Sequence, residues 1–428
     1  MAYCLANGLA AQADLGVTAY PKWYLETSDI RHRARRLYQL AGSEQSTPIE
    51  IKAQSYTNLG NSLLRAYRLV EAYDCYSKAL KYDSTNGVAL TGAVRILLRL
   101  IRVGTGDSQV LLAVAARHLS KAKENPERIR ELAGEQAYRK LSELLETNIP
   151  AGELPDLSHA SEYQQFVAKR RLSLAPTIEG LDLTMSRWDS LRIHSITERI
   201  DTGSGVPPLF GMFNVLKSEY LSARYLAYSA LNESIPESGK YSDTLDYARY
   251  GIKQAMLTLA QRACLDLLGK VAVATSEYLR LPRSPSQILF TNRWFVSRES
   301  GAPLTWQPEI HAAISQGNTA LIAISEVSRD IEAGGFLQQK RAMRNSSTHR
   351  FTILHDLGES PSRESRYIDH YSLDEFIEQL IETLQLTRAV LLYFVEMVSL
   401  NEHLTHEDGT FKGQLFVPDH DWIRGEDE

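Results

Sequence analysis

Cysteine is scarce: the 428 residues hold only Cys4, Cys75 and Cys264, far apart in the chain. Their spacing fits neither a disulfide framework nor a zinc set, so a reducing cytoplasm is expected, and no metal ligand or cofactor is assigned. Long apolar runs are missing as well. No segment approaches the roughly 18 apolar residues that cross a bilayer, and Met1–Leu15 lacks the charged-then-apolar order of a signal peptide. A soluble protein without a membrane partner is expected. Positive charge is not in excess either. With 47 Lys+Arg against 52 Asp+Glu the formal net charge is −5, which excludes coating nucleic acid by bulk charge. Any such contact must be a local patch.

What remains is an ordinary globular composition, 43% hydrophobic and 23% charged, long enough for two or three units. Apolar and small residues recur every three or four positions from Ser55 to Leu80, which predicts two antiparallel helices. Tyr56, Leu59, Gly60, Leu63, Ala72, Tyr76 and Ala79 then fall at the spacing of a tetratricopeptide unit, with Ser84 where that motif usually has proline. Further helices are predicted over Ile30–Ala41, Val88–Val103, Gln109–Ala122 and Glu127–Leu145. Together these make residues 1–147 a helical repeat region with a concave docking surface for a protein or trigger, or, more plainly, a bundle that scaffolds the rest.

Turn formers between Asn148 and His159 mark a linker, and 148–205 is read as linker and connecting helices, closed by the Gly203–Gly205 hinge. The next unit, 206–405, predicts helices at Leu209–Leu231, Ser242–Leu279, Pro308–Ala333, Phe336–His349 and Ser372–Leu400. Phe351–Leu354 is the one short extended piece, so the fold class is all-α. Residues 406–428 read as a loose tail.

The chemistry-bearing residues gather in the segment Lys340-Arg-Ala-Met-Arg-Asn-Ser-Ser-Thr-His-Arg350, which resembles the Arg-polar-x-x-x-His signature of HEPN ribonucleases through Arg344, Asn345 and His349. Asn214 to Tyr225, Tyr247–Lys270 and Thr383–Tyr393 resemble a bacterial branch in which tetratricopeptide-like helices precede the HEPN bundle. The resemblance covers most of Val206–Glu402. It implies a homodimer whose two motifs face each other and cut single-stranded RNA without a metal, using the substrate's 2′-hydroxyl, in a defence or toxin role.

That chemistry needs a base, an acid and positive charge on the phosphate, which His349 and Arg344 supply by type. Five residues apart, they lie about 140° apart around a helix, whereas Asn345 and His349 share a face. A two-fold axis would bring two copies of each into one groove. Asn214, Lys217, Tyr220 and Arg224 share one side of their helix and, with Lys340, Arg341 and Arg350, form the candidate RNA-binding set. The plainer readings are a solvated helix end for the motif and surface ion pairs for the cations. His355 and His370 are read as loop or surface residues, Trp294 and Trp306 as core. The rival function is a binding scaffold for RNA, a nucleotide or a protein.

Overall fold

A computed structural model of the chain describes residues 1–15, 20–103, 108–175, 188–199, 205–282, 284–296, 303–332, 334–340, 343, 350–356, 365–404 and 412–416. The N-terminal region consists of α1 (Ala2–Leu15), a short α2 (Lys22–Glu26), α3 (Ser28–Ser43), α4 (Ile49–Arg65), α5 (Leu69–Tyr82), α6 (Gly87–Val103), α7 (Ser108–Glu124) and α8 (Glu127–Glu146). From α3 to α7 each helix packs on the next in sequence. The predicted helices are therefore present, extended at their ends.

The small and aromatic residues of the repeat pattern explain how the pairs close. The Tyr76 ring is wedged between Gly60 of α4 and Gly92 of α6. A Cβ at either glycine would come within 2.7 Å or 2.6 Å of that ring. Tyr56 lies against Gly42 in the same way, so aromatics fill the room that glycines leave between backbones. Where proline is usual after α5, the turn is built from side chains instead. Asp83 Oδ1 accepts from the Thr85 amide at 3.0 Å and hydroxyl at 2.7 Å, and Asn86 caps α6 through the Ala89 amide.

After the linker comes α9 (Glu162–Arg170), entered through a Ser161/Gln164 capping box. β1 (Ser195–Arg199) then pairs antiparallel with β5 (Lys412–Phe416). Part of the stretch read as a loose tail is thus a strand. Between these strands in sequence lies the C-terminal bundle of α10 (Pro208–Asn232), α11 (Ile252–Tyr278), α12 (Pro308–Ser315), α13 (Thr319–Ile331) and α14 (Leu373–Leu404). α14 packs on α10, α11 and α13 and is its central element. Its Leu373–His403 stretch is long and apolar enough to cross a membrane, contrary to the sequence reading, but 67% of its apolar window is buried inside the bundle.

Three further expectations change. The helix expected from Ser242 begins only at Ile252, because Leu245 and Tyr247 are left-handed at φ 58° and Gly251 sits at φ 133°. The helix expected over Pro308–Ala333 is two, separated at Gly317, whose φ of 114° no helix accommodates. Of Phe336–His349, residues 338–340 and 343 are helical, and most of the remainder lies outside the described residues. The protein is mostly helical rather than all-α. Besides the β1–β5 pair, β2 (Ala248–Arg249), β3 (Phe351–His355) and β4 (Ile368–Ser372) form a small sheet in the order β2-β3-β4, with β3 and β4 parallel.

The repeat region is tied to the bundle through buried charge. Arg31 of α3 grips Glu326 of α13 with both terminal nitrogens, at 2.6 and 2.8 Å, and Arg35 reaches the same carboxylate at 2.7 Å. Arg35, Arg68 and His32 converge on Asp330, and Arg68 also holds Glu71. Arg35, Arg68 and Asp330 are fully buried. Three guanidiniums face three carboxylates, and His32 fits as a neutral ring that donates from Nδ1 to Asp330, with an Arg35 nitrogen against the same ring edge at 3.0 Å from Nδ1 and 3.3 Å from Nε2. Burial lowers its pKa accordingly.

Candidate functional site

Arg341, Arg344, Asn345 and His349 lie outside the described residues, but both flanks of their segment are fixed. On the N-terminal side Lys340 is buried and donates to the Gln379 carbonyl at 2.9 Å and side-chain oxygen at 2.5 Å, on α14. Burial lowers its pKa to about 8. Nearby Glu382 stays ionised: burial works against its charge, yet Lys78 of α5, at 2.8 Å, and Lys340 hold its pKa down at about 2. Met343 is buried, and its sulfur accepts from Gln261 of α11 at 3.6 Å. On the C-terminal side Arg350 is exposed, pairs with Asp369 at 3.1 Å and leads directly into β3. In sequence the segment is thus bracketed by a buried anchor on α11 and α14 and by the exposed start of β3.

The second group of candidates divides. Tyr220 is fully buried, with its hydroxyl donating to the Leu172 carbonyl at 2.9 Å. Arg224 is also buried and holds Asp189 through both terminal nitrogens at 2.8 and 2.7 Å, the Leu172 carbonyl at 3.0 Å and the Tyr163 hydroxyl. Burial alone would lower the Arg224 pKa, but the bond to Asp189 outweighs it and the pKa is raised. Of the four residues predicted to share a side of α10, Tyr220 and Arg224 point inward with Phe213, Leu216, Ala223 and Ala227. Tyr220, Arg224 and Lys340 thus hold elements together and are not open to phosphate. Asn214 is exposed, and Lys217 is half-buried with its ammonium on the Leu191 carbonyl at 3.0 Å.

The sheet gathers side chains that the sequence reading left apart. His355, read as a loop or surface residue, is buried at the end of β3, and His370 stands half-buried on β4. The register pairs Ile353 with His370 and His355 with Ser372. The two imidazoles are thus diagonal neighbours on one face, with His355 Nε2 and His370 Nδ1 2.7 Å apart. Asp246, just before β2, completes a group whose ligand atoms lie within 4.8 Å of one another. Trp294 and Trp306 are core residues as read; His403 is exposed near the end of α14, and His406 lies outside the described residues.

The helical bundle with its inserted small sheet is a HEPN domain: residues 200–401 match the sequence model of one HEPN family. That family is the LA2681-like HEPN domains, and the match takes in the whole Lys340–Arg350 segment. Comparison with curated proteins and with solved structures returns no match.

Proposed function

We propose that the chain is an endoribonuclease that cuts RNA by attack of the substrate's own 2′-hydroxyl, without a metal in the reaction. HEPN domains as a group are associated with ribonuclease activity. The single observation that carries the reading is that Arg344, Asn345 and His349 fall in the Arg-polar-x-x-x-His pattern inside the matched domain. Fixed flanks support it, because a catalytic segment needs its ends held while its side chains meet the substrate.

In this reading His349 takes the 2′-hydroxyl proton, Arg344 offers its planar pair of donors to the phosphate as charge builds there, and Asn345 orients the imidazole or the ribose. Protonation of the leaving 5′-oxygen needs a second acid. A homodimer supplies it, with His349 of the second copy across a shared groove. Arg350, Lys217 and Asn214 are the candidates for steering RNA to that groove. The N-terminal helices act as a tetratricopeptide-like arm that receives a protein or other trigger, and the buried charges on α3, at the start of α5 and on α13 join that arm to the domain.

The test is cleavage of labelled single-stranded RNA in EDTA by wild-type protein and by His349→Ala and Arg344→Ala. The variants are expected to keep the wild-type circular dichroism and lose cutting at least 100-fold. A folded His349→Ala protein that cuts at the wild-type rate overturns the proposal, and RNA binding without any product marks a scaffold instead.

A further inference from the structure

We propose that Asp246, His355 and His370 form a binding site for a divalent transition metal ion of the zinc class, separate from the proposed ribonuclease chemistry. Two imidazoles and one carboxylate are the donor set that such ions select, with a further position left for water or another ligand.

The geometry of His355 points the same way. Its Nδ1 lies 2.9 Å from the Asp246 backbone carbonyl. A carbonyl only accepts, so Nδ1 carries the proton and Nε2 of the neutral ring presents its lone pair. A metal-ligating histidine is typically held in this manner: one ring nitrogen fixed on a backbone oxygen, the other free for the ion. That free nitrogen faces Nδ1 of His370. Without an ion, His370 Nδ1 must carry a proton to bond His355. With one bound, the proton resides on His370 Nε2, so a tautomer change and no ionisation accompanies binding. Metal–ligand bonds of about 2.0–2.2 Å put tetrahedral donor atoms roughly 3.3 Å apart. The two imidazole nitrogens would open by about half an ångström from 2.7 Å, and the carboxylate would close in from within 4.8 Å. Both adjustments are of side-chain size.

Asp246 is set in place by local backbone. Its neighbours Leu245 and Tyr247 are both left-handed at φ 58°, a conformation that costs non-glycine residues on the order of 1 kcal/mol or more each. Its Oδ1 accepts from the Thr244 hydroxyl at 2.5 Å and the Ala248 amide at 3.3 Å, which orients the carboxylate so that one of its oxygens lies within 4.8 Å of both imidazole nitrogens.

The site also answers a structural need. β2, β3 and β4 hold two, five and five residues, too few to be firm by backbone pairing alone. The three side chains come from the approach to β2, the end of β3 and the middle of β4, so one ion would staple all three strands. β3 follows directly on the Arg344–His349 segment, and the staple would fix where that segment ends.

Full-length protein stripped with EDTA, dialysed and returned to zinc chloride tests this by metal content after desalting, by melting temperature and by the visible spectrum with cobalt(II). The expected result is one zinc per chain, a rise in melting temperature and a tetrahedral cobalt spectrum. His370→Gln and Asp246→Asn, at positions less buried than His355, should fold and bind zinc at least about tenfold more weakly. The inference is overturned if wild-type protein retains no zinc, or if both variants retain as much as wild type. These readouts involve no RNA, so the site and the ribonuclease proposal stand or fall separately.

Discussion

Replacing Asp330 by alanine tests how the arm is joined to the HEPN domain. The carboxylate is fully buried and takes Arg35, Arg68 and His32. Its loss leaves Arg35 with Glu326 and Arg68 with Glu71, so the balance of three guanidiniums and three carboxylates becomes three against two. One buried positive charge is then uncompensated. Removing one member of a buried ion pair costs about 3–5 kcal/mol, far more than the pair is worth against an apolar replacement. The second half of the prediction follows from that asymmetry. Adding Arg35→Met to Asp330→Ala restores two against two, and the double variant is expected to recover roughly half of the loss despite carrying more changes. Urea denaturation followed by circular dichroism measures both, and unchanged slopes would show that stability alone has moved. A loss under about 1 kcal/mol for Asp330→Ala, or a double variant no more stable than Asp330→Ala alone, would refute this account of the joint.

Acid should loosen the arm. Burial lowers the pKa of both His32 and His118, the latter to about 4, helped by Arg117 and Lys121. A lowered histidine means that the unfolded chain binds a proton the folded one does not, so stability is complete above about pH 6.5 and falls as pH drops towards 4. His118 alone accounts for roughly 3 kcal/mol over that window. His118→Gln should flatten thermal melting against pH between 6.5 and 4.5, and an unchanged slope would contradict the assignment. Gly92→Val drives a side chain into the Tyr76 ring and should cost about 1–3 kcal/mol by thermal melting, whereas Gly8→Ala, where nothing lies within 4 Å, should be nearly neutral. Arg224→Ala removes the cation that pairs Asp189 and leaves the Leu172 carbonyl to the Tyr220 hydroxyl alone, so it should destabilise the fold rather than selectively weaken RNA binding.

The helices were largely legible because their apolar residues recur every three or four positions, and the repeat pattern named Tyr76 and Gly60, which pack together, though not Gly92 on the other side of the ring. Spacing shows which residues share a face, not which way that face turns. That is why Tyr220 and Arg224 read as a phosphate stripe although the same face carries Phe213 and Leu216 into the core. The break at Gly317 was masked because apolar residues continue at helical spacing on both sides. The strands were harder. β3 reads as the extended piece Phe351–Leu354, but its partner β4 is short, carries a histidine and polar residues on its pleats, and gains definition only by pairing with β3. Asp246, His355 and His370 are separated by 109 and 15 residues, so no local motif announces them. The Arg344–His349 segment, by contrast, is a local pattern in the sequence, and it falls inside the matched residues 200–401.

The most direct measurement uses two substrates that differ by one oxygen atom: an RNA and the same strand with a single 2′-deoxyribose at its mapped cut, both incubated with the full-length protein and EDTA. Attack by the neighbouring hydroxyl predicts that the RNA is severed to leave a 2′,3′-cyclic phosphate and that the substituted strand stays intact at that position. Equal severing of the two would contradict the account, because the nucleophile would then come from somewhere other than the ribose.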